Sequence, residues 1–92
     1  MRVTIIADDA AVYVDGLALW PIDLTGLSSD VHAVQWYDTH GEVEFRDGQP
    51  NALISDFSPY QVFVDRHAAA KAAAATPAVT AASTEAVRVI AD

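Results

Sequence analysis

Two D-x-H units stand eight residues apart, Asp30-Val31-His32 and Asp38-Thr39-His40. A carboxylate and an imidazole can share a metal ion, so two such units raise the prospect of a metal site. The residues between them argue against it. The run VHAVQWY alternates as a half-buried strand does, which puts His32 and His40 at opposite ends, roughly 25 Å apart at ~3.3 Å per residue. One ion cannot bridge that gap within a chain. Glu42 and Glu44 share a strand face and could polarise each other for general acid work. Charged outer faces are ordinary in antiparallel sheets, however. Ser28, Ser29, Ser55, Ser58 and Ser83 fall in turns, caps or a linker, and none sits in a G-x-S-x-G elbow. No phosphate loop or dinucleotide fingerprint occurs. The chain has no cysteine, which removes thiolate zinc ligands, disulfides and thiol nucleophiles together. The expectation is a protein with no catalytic residue, no metal and no cofactor.

The elements that carry these residues can be read from alternation and turn chemistry. RVTIIADDAAVYVDGLALW reads as three short strands. Asp15-Gly16 is a favoured pair for a two-residue hairpin turn, which needs positive φ. That turn sets Val14 against Leu17 and Val12 against Leu19. With Asp8 and Asp9 turning the chain earlier, Ile5 opposes Val12 and Val3 opposes Val14. Both registers gather Val3, Ile5, Val12, Val14, Leu17 and Leu19 on one face, and a one-residue slip would destroy the agreement. Pro21 ends the third strand. PIDLTGLSSD is a connecting loop from which Leu24 and Leu27 can plug the core.

A second hairpin spans VHAVQWYDTHGEVEF. With Asp38 to Gly41 as its loop, Tyr37 opposes Glu42, Trp36 opposes Val43 and Val34 opposes Phe45. Val34, Trp36, Val43 and Phe45 then share a face, so Trp36 reads as core and not as a ligand platform. Asp47-Gly48 turns the chain, and Pro50-Asn51 continues the loop. In DFSPYQVFVDRHAAAKAAAA, Ser58 fits a helix N-cap, Pro59 the first helical position and Gln61 the capping-box partner, with Phe57 stapled against Val62. Tyr60, Phe63, Val64, His67 and Lys71 form one stripe at helical spacing. The stripe is expected to pack on the sheet. Tyr60 and Phe63 are candidate partner-binding residues on the alternative that it faces another protein. Beyond His67 the helix is nearly all alanine, which favours helix but buries little.

Thr76-Pro77 should stop the helix, and TPAVTAAST reads as a linker. Past it, Val87, Val89 and Ile90 form an apolar handle expected to add to the sheet edge of a partner. The competing expectation is that VRVIAD completes this chain's own sheet beside strand 2–7. The division is an α+β domain over 1–75 and a linker with a partner-docking tail over 76–92.

The net charge of −8 bounds the partners. Residues 1–75 carry eleven acids against Arg2, Arg46, Arg66 and Lys71, a net of −7. Nucleic-acid phosphates are disfavoured, because they want clustered lysine and arginine. Asp8, Asp9, Asp15, Asp30, Asp38, Asp47 and Asp56 mostly fall at expected turns, where aspartate bonds its own backbone. No apolar run approaches the ~20 residues of a membrane span, so a soluble protein with no membrane contact is expected.

HAVQW, GEVEF, DGQPN and ISDFSPYQVFVD together resemble small proteins encoded beside the tail-fibre genes of tailed bacteriophages and prophages. The resemblance covers about residues 1–72, and its motifs are structural. It implies a virion-associated or tail-fibre-assembly role, a chaperone of the fibre included, with a phage tail or tail-fibre protein as partner and self-association in a symmetric assembly as a further option. It implies action in the host cytoplasm during assembly or in the virion tail. The alternative is a small acidic phage protein that blocks a host nucleic-acid-binding protein by presenting carboxylates to a basic cleft. The expected fold is α+β, a small antiparallel sheet of about five strands with one C-terminal helix packed on it and an extended tail.

Overall fold

A computed structural model describes residues 1–75 of the chain. Six strands form one antiparallel sheet: β1 (Arg2–Ile6), β2 (Ala11–Val14), β3 (Leu17–Leu19), β4 (Val31–Tyr37), β5 (Gly41–Phe45) and β6 (Ala52–Ile54). Their spatial order is β3-β2-β1-β4-β5-β6. A 3₁₀ turn over Ser58–Tyr60 leads into the single helix α1 (Gln61–Ala75). The α+β class is as expected, with six strands in place of five. The added strand is β6. Its three residues are too few to show alternation in the sequence.

The first meander follows its turn chemistry. Asp15 and Gly16 both take positive φ, 49° and 87°. Val12 pairs with Leu19, Val14 with Leu17, Ile5 with Val12 and Val3 with Val14, as the sequence dictates. The inner face carries Val3, Ile5, Val12, Val34, Trp36 and Val43, all buried. Ile22, Phe57 and Phe63 close over that face, with Leu24, Leu27, Tyr60 and Val64 packed around them.

The second hairpin differs in register. Trp36 pairs with Gly41, Gln35 with Glu42 and Val34 with Val43, a shift of two residues from the expected pairing. The turn is Tyr37 to His40, closed by Tyr37 N–H donating to the His40 carbonyl at 2.7 Å, and Asp38 takes φ 82°. Because side chains alternate with period two, a two-residue shift leaves Val34, Trp36 and Val43 on their expected face; an irregularity between Val31 and Ala33 then pairs Val31 with Phe45 and buries Val31 in the core. Gly41 is needed at its place for space, not for φ. A Cβ there would collide with the Gln35 carbonyl oxygen and lie 3.0 Å from Trp36 Cε3. Backbone cannot yield as a side-chain tip does, so Gly41→Ala is expected to cost ~1–3 kcal/mol through overpacking. Chemical denaturation of the variant checks this, and an unchanged midpoint would refute the close approach.

The helix entry also departs from expectation. Ser58 does not cap α1. Its amide and its hydroxyl both donate to the Asp56 carboxylate, at 3.0 and 2.9 Å. Ser58-Pro59-Tyr60 coil as a 3₁₀ turn, and the α-helix begins three residues after Ser58. Phe57 consequently stacks on Trp36, ring centroids 5.1 Å apart, and Val62 faces solvent instead of stapling to it. Asp56→Ala should therefore lower the melting temperature more than Ser58→Ala. The reverse order in parallel thermal melts would restore Ser58 as the cap.

From Phe57 over β4, α1 crosses to β2 and β3. Phe63 is 1% exposed and His67 3%. His67 Nε2 lies 2.9 Å from the Leu17 carbonyl oxygen. That oxygen can only accept, so Nε2 carries the proton and donates. Arg66 donates to the carbonyls of Asp23 and Thr25 at 2.7 and 2.9 Å, tying the long β3–β4 loop to the helix. Arg66 thereby bridges helix and loop. Lys71, placed on the stripe by spacing, is exposed.

Candidate interaction surface

The outer face of the sheet is built from alternate residues of the same strands. Arg2, Thr4 and Ile6 come from β1, Ala11 and Tyr13 from β2, Ala33, Gln35 and Tyr37 from β4. Glu42 and Glu44 come from β5 and Leu53 from β6. At its centre Arg2 donates to Thr4 Oγ1 at 3.1 Å and to Gln35 Oε1 at 3.0 Å, and its guanidinium lies 4.4 Å from the centroid of the Tyr37 ring. Thr4 Oγ1 donates to the same Gln35 oxygen at 2.8 Å. The result is a polar and aromatic plate flanked by Tyr13 and Tyr37, both exposed. Such side chains, amphipathic and stiff, are common in recognition surfaces.

The plate ends at β6. Leu53, paired with Glu42, is 83% exposed. Glu42 accepts from Asn51 Nδ2 at 3.0 Å. Among the described residues both end strands, β3 and β6, have a strand partner on one side only. At β3 the helix packs against the strand and His67 takes the Leu17 carbonyl. At β6, among the described residues, the only strand partner is β5. Trp20 is 68% exposed and stands just past β3.

The residues singled out from the sequence fall as follows. Tyr60 is half-buried, its ring 6.1 Å from that of Phe57. Phe63 lies wholly in the core, so a docked protein cannot touch it while α1 is seated; as a partner-binding residue it is corrected to a core residue. Val87, Val89 and Ile90, the linker and the docking tail lie outside the described residues. VRVIAD, the competing candidate for this chain's own sheet, also lies outside the described residues; β1 itself has β2 on one flank and β4 on the other. His32 and His40 sit at opposite ends of β4 and do not meet. His32 Nδ1 instead lies 3.9 Å from Asp8. Among the described residues no group of three or more His, Cys, Asp or Glu is placed to hold a metal ion. No helix among them is long and apolar enough to cross a membrane.

The aspartates are used locally. Asp8 pairs with Arg46 at 2.5 Å, Asp15 accepts from the Arg2 amide, and Asp23 from Thr25. Asp30 accepts from Ser28, Asp38 from the amino terminus, and Asp47 from Gln49. Arg46 holds Asp8 below the ordinary carboxylate range, chiefly by its hydrogen bond. The hydrogen bond from the amino terminus does the same for Asp38, that from the Thr25 hydroxyl for Asp23, and the Ser58 amide for Asp56. Each folded pKa thus lies below the unfolded value near ~3.9. The stabilisation is present above that pH and is lost as pH falls through the folded values. Thermal melts from about pH 6 to about pH 2, either side of ~3.9, should show the melting temperature falling at the acid end. Asp8→Asn should flatten the fall, and added salt should shrink it, because the pairs are exposed. A melting temperature independent of acid pH would refute these pairings.

The fold and surface define a class: a small α+β protein with a helix on one sheet face, an open outer face and, among the described residues, end strands β3 and β6 each paired on one side only. Comparison with protein-family models, curated proteins and solved structures finds no match to this chain.

Proposed function

We propose that the chain acts by protein–protein contact, not as an enzyme, as a structural or assembly component associated with the tail or tail fibre of a tailed phage, the fibre chaperone included. Its partner on this reading is a phage tail or tail-fibre protein, met in the host cytoplasm during assembly or in the virion tail. The observation that carries the contact role is the set of exposed large side chains on so small a unit. Leu53 and Trp20 are almost free of cover, and Tyr13, Tyr37, Leu17 and Val62 are exposed as well. Tyr13, Tyr37 and Leu53 lie on the one outer sheet face, and exposed aromatic and apolar side chains on one face are what interaction surfaces use.

The phage context rests on the resemblance of HAVQW, GEVEF, DGQPN and ISDFSPYQVFVD. These segments form β4, β5, the turn into β6, and the run from β6 into α1. They are the skeleton that presents the surface, which suits a structural role. The acidic-inhibitor alternative draws less support, since most of the aspartates are engaged in turns and pairs of the chain's own. Pull-down of the tagged protein from phage-infected cells, with mass spectrometry of partners and of purified virions, tests the reading. A tail or fibre protein retained at high salt is the expected partner. A host nucleic-acid-binding protein that dissociates as salt rises would overturn it.

A further inference from the structure

We propose that the uncovered edge of β6 receives residues 86–90 of a second copy of this chain, so that two copies exchange tails. The inference goes beyond the proposed function and does not depend on the phage context.

Three observations select the site and the occupant. First, β6 ends the sheet with strand pairing on one side only among the described residues, as β3 does at the other end, but only β3 is also packed against α1. An unpaired edge offers its N–H and C=O groups to any extended segment of matching pattern. Leu53, the most exposed large apolar side chain of the described residues, sits in the middle of this one.

Second, the sequence of the tail fits the two faces of that edge. Ala86-Val87-Arg88-Val89-Ile90 alternates. As a strand, Val87 and Val89 would continue the inner row begun by Ala52 and Ile54. Arg88 and Ile90 would then fall on the outer face, beside Leu53. Arg88 is the only base after Lys71. Glu42 and Glu44 are the carboxylates on the outer face of β5 next door, Glu42 already accepting from Asn51. The reverse facing would put two valines beside those carboxylates and turn Arg88 toward the core.

Third, chain length disfavours the same copy as donor. From Phe57 over β4, the 3₁₀ turn and α1 lead to His67 at β3, and α1 continues eight residues to Ala75. That places its end up to ~12 Å past β3, at ~1.5 Å per residue. Five inter-strand steps of ~4.8 Å separate β3 from β6, about 24 Å. A tail returning to its own β6 would cross roughly 36 Å and pass around the sheet. Residues 76–86 span at most ~36–40 Å when fully extended. The return would use nearly the whole length of the linker with no slack. A second copy places no such demand, and mutual exchange closes as a two-fold dimer.

The chain lacks cysteine, so single thiols report proximity cleanly. Leu53→Cys and Arg88→Cys variants of the full chain, mixed and treated with a short bifunctional maleimide, are expected to give a covalent heterodimer as the main product. Tyr13→Cys mixed with Arg88→Cys is the control and should give only traces. Sedimentation equilibrium should report a dimer for the parent chain and a monomer for Val89→Asp, whose melting curve shows whether the fold is kept. A monomeric parent chain overturns the proposal. So does a double variant, Leu53→Cys with Arg88→Cys, that cross-links only within one chain, since that places the tail on its own sheet. Equal cross-linking of the control pair overturns the site. All readouts use purified protein alone, so they can fail while the tail-partner reading stands, and the reverse.

Discussion

Trp36→Ala is expected to remove ~3–5 kcal/mol of stability. Trp36 is 6% exposed at the middle of the inner face. Its indole meets the Phe57 ring, and the Gly41 backbone lies against it with no room for a Cβ. A buried tryptophan hides about 150–250 Å², which at ~25 cal/mol per Å² is about 4–6 kcal/mol before relaxation. A unit of this size has roughly 4–11 kcal/mol in total, at ~0.05–0.15 kcal/mol per residue. The substitution should therefore remove a large part of the margin. With ~4–8 °C per kcal/mol for a small domain, the melting temperature should fall by at least about 12 °C. Loss of the indole also removes the closer of the two aromatic contacts of Phe57, so the entry into α1 should loosen in the same transition. Trp36→Phe keeps an aromatic partner for Phe57 and should cost less. A Trp36→Ala protein that melts like the parent would mean the indole is not core, and it would become a candidate contact residue again.

The first meander was legible because two signals of different kind agreed. Asp15-Gly16 fixes a two-residue turn, and alternation on both sides admits one register consistent with it. The second hairpin had alternation alone. Alternation repeats every two residues, so it fixed the faces of Val34, Trp36 and Val43 but not their partners. What selects the register is the approach of Gly41 to Trp36 and the positive φ of Asp38, both tertiary or conformational facts. The helix entry misled for a related reason. Ser58, Pro59 and Gln61 match a capping box, yet Asp56 competes for the Ser58 amide and wins. The resulting 3₁₀ turn delays the helix and rotates Val62 to solvent. The candidate surface was the least legible part. Leu53 reads as loop in A-L-I, and its exposure follows from where β6 ends the sheet. No local pattern announces that. A Leu beside the D-G-Q-P-N turn, on a segment too short to bury it, was the one available hint.

Phe63→Ala carries the second large effect, ~3–5 kcal/mol, and it separates two roles for the helix stripe. Phe63 is the largest fully buried side chain, and with His67 it anchors α1 to the sheet. The rest of the helix offers little to replace it. Residues 71–74 are exposed, and a lone 15-residue helix is marginal in water even when rich in alanine. Removing the phenyl ring should therefore release the helix as well as open a cavity. The expected result is a fall in both melting temperature and helical circular dichroism, since helix and sheet share one core. Tyr60→Ala provides the contrast. Tyr60 is half-buried at the rim of the same cluster, so its loss should cost less and leave α1 seated. If the stripe served a partner directly, Phe63→Ala would abolish binding at an unchanged melting temperature. Burial excludes that outcome for Phe63 but not for Tyr60, whose exposed portion a partner can reach. A Phe63→Ala protein with parental melting and helicity would show that α1 does not depend on this contact, and the position of the helix on β2 and β3 would have to be abandoned.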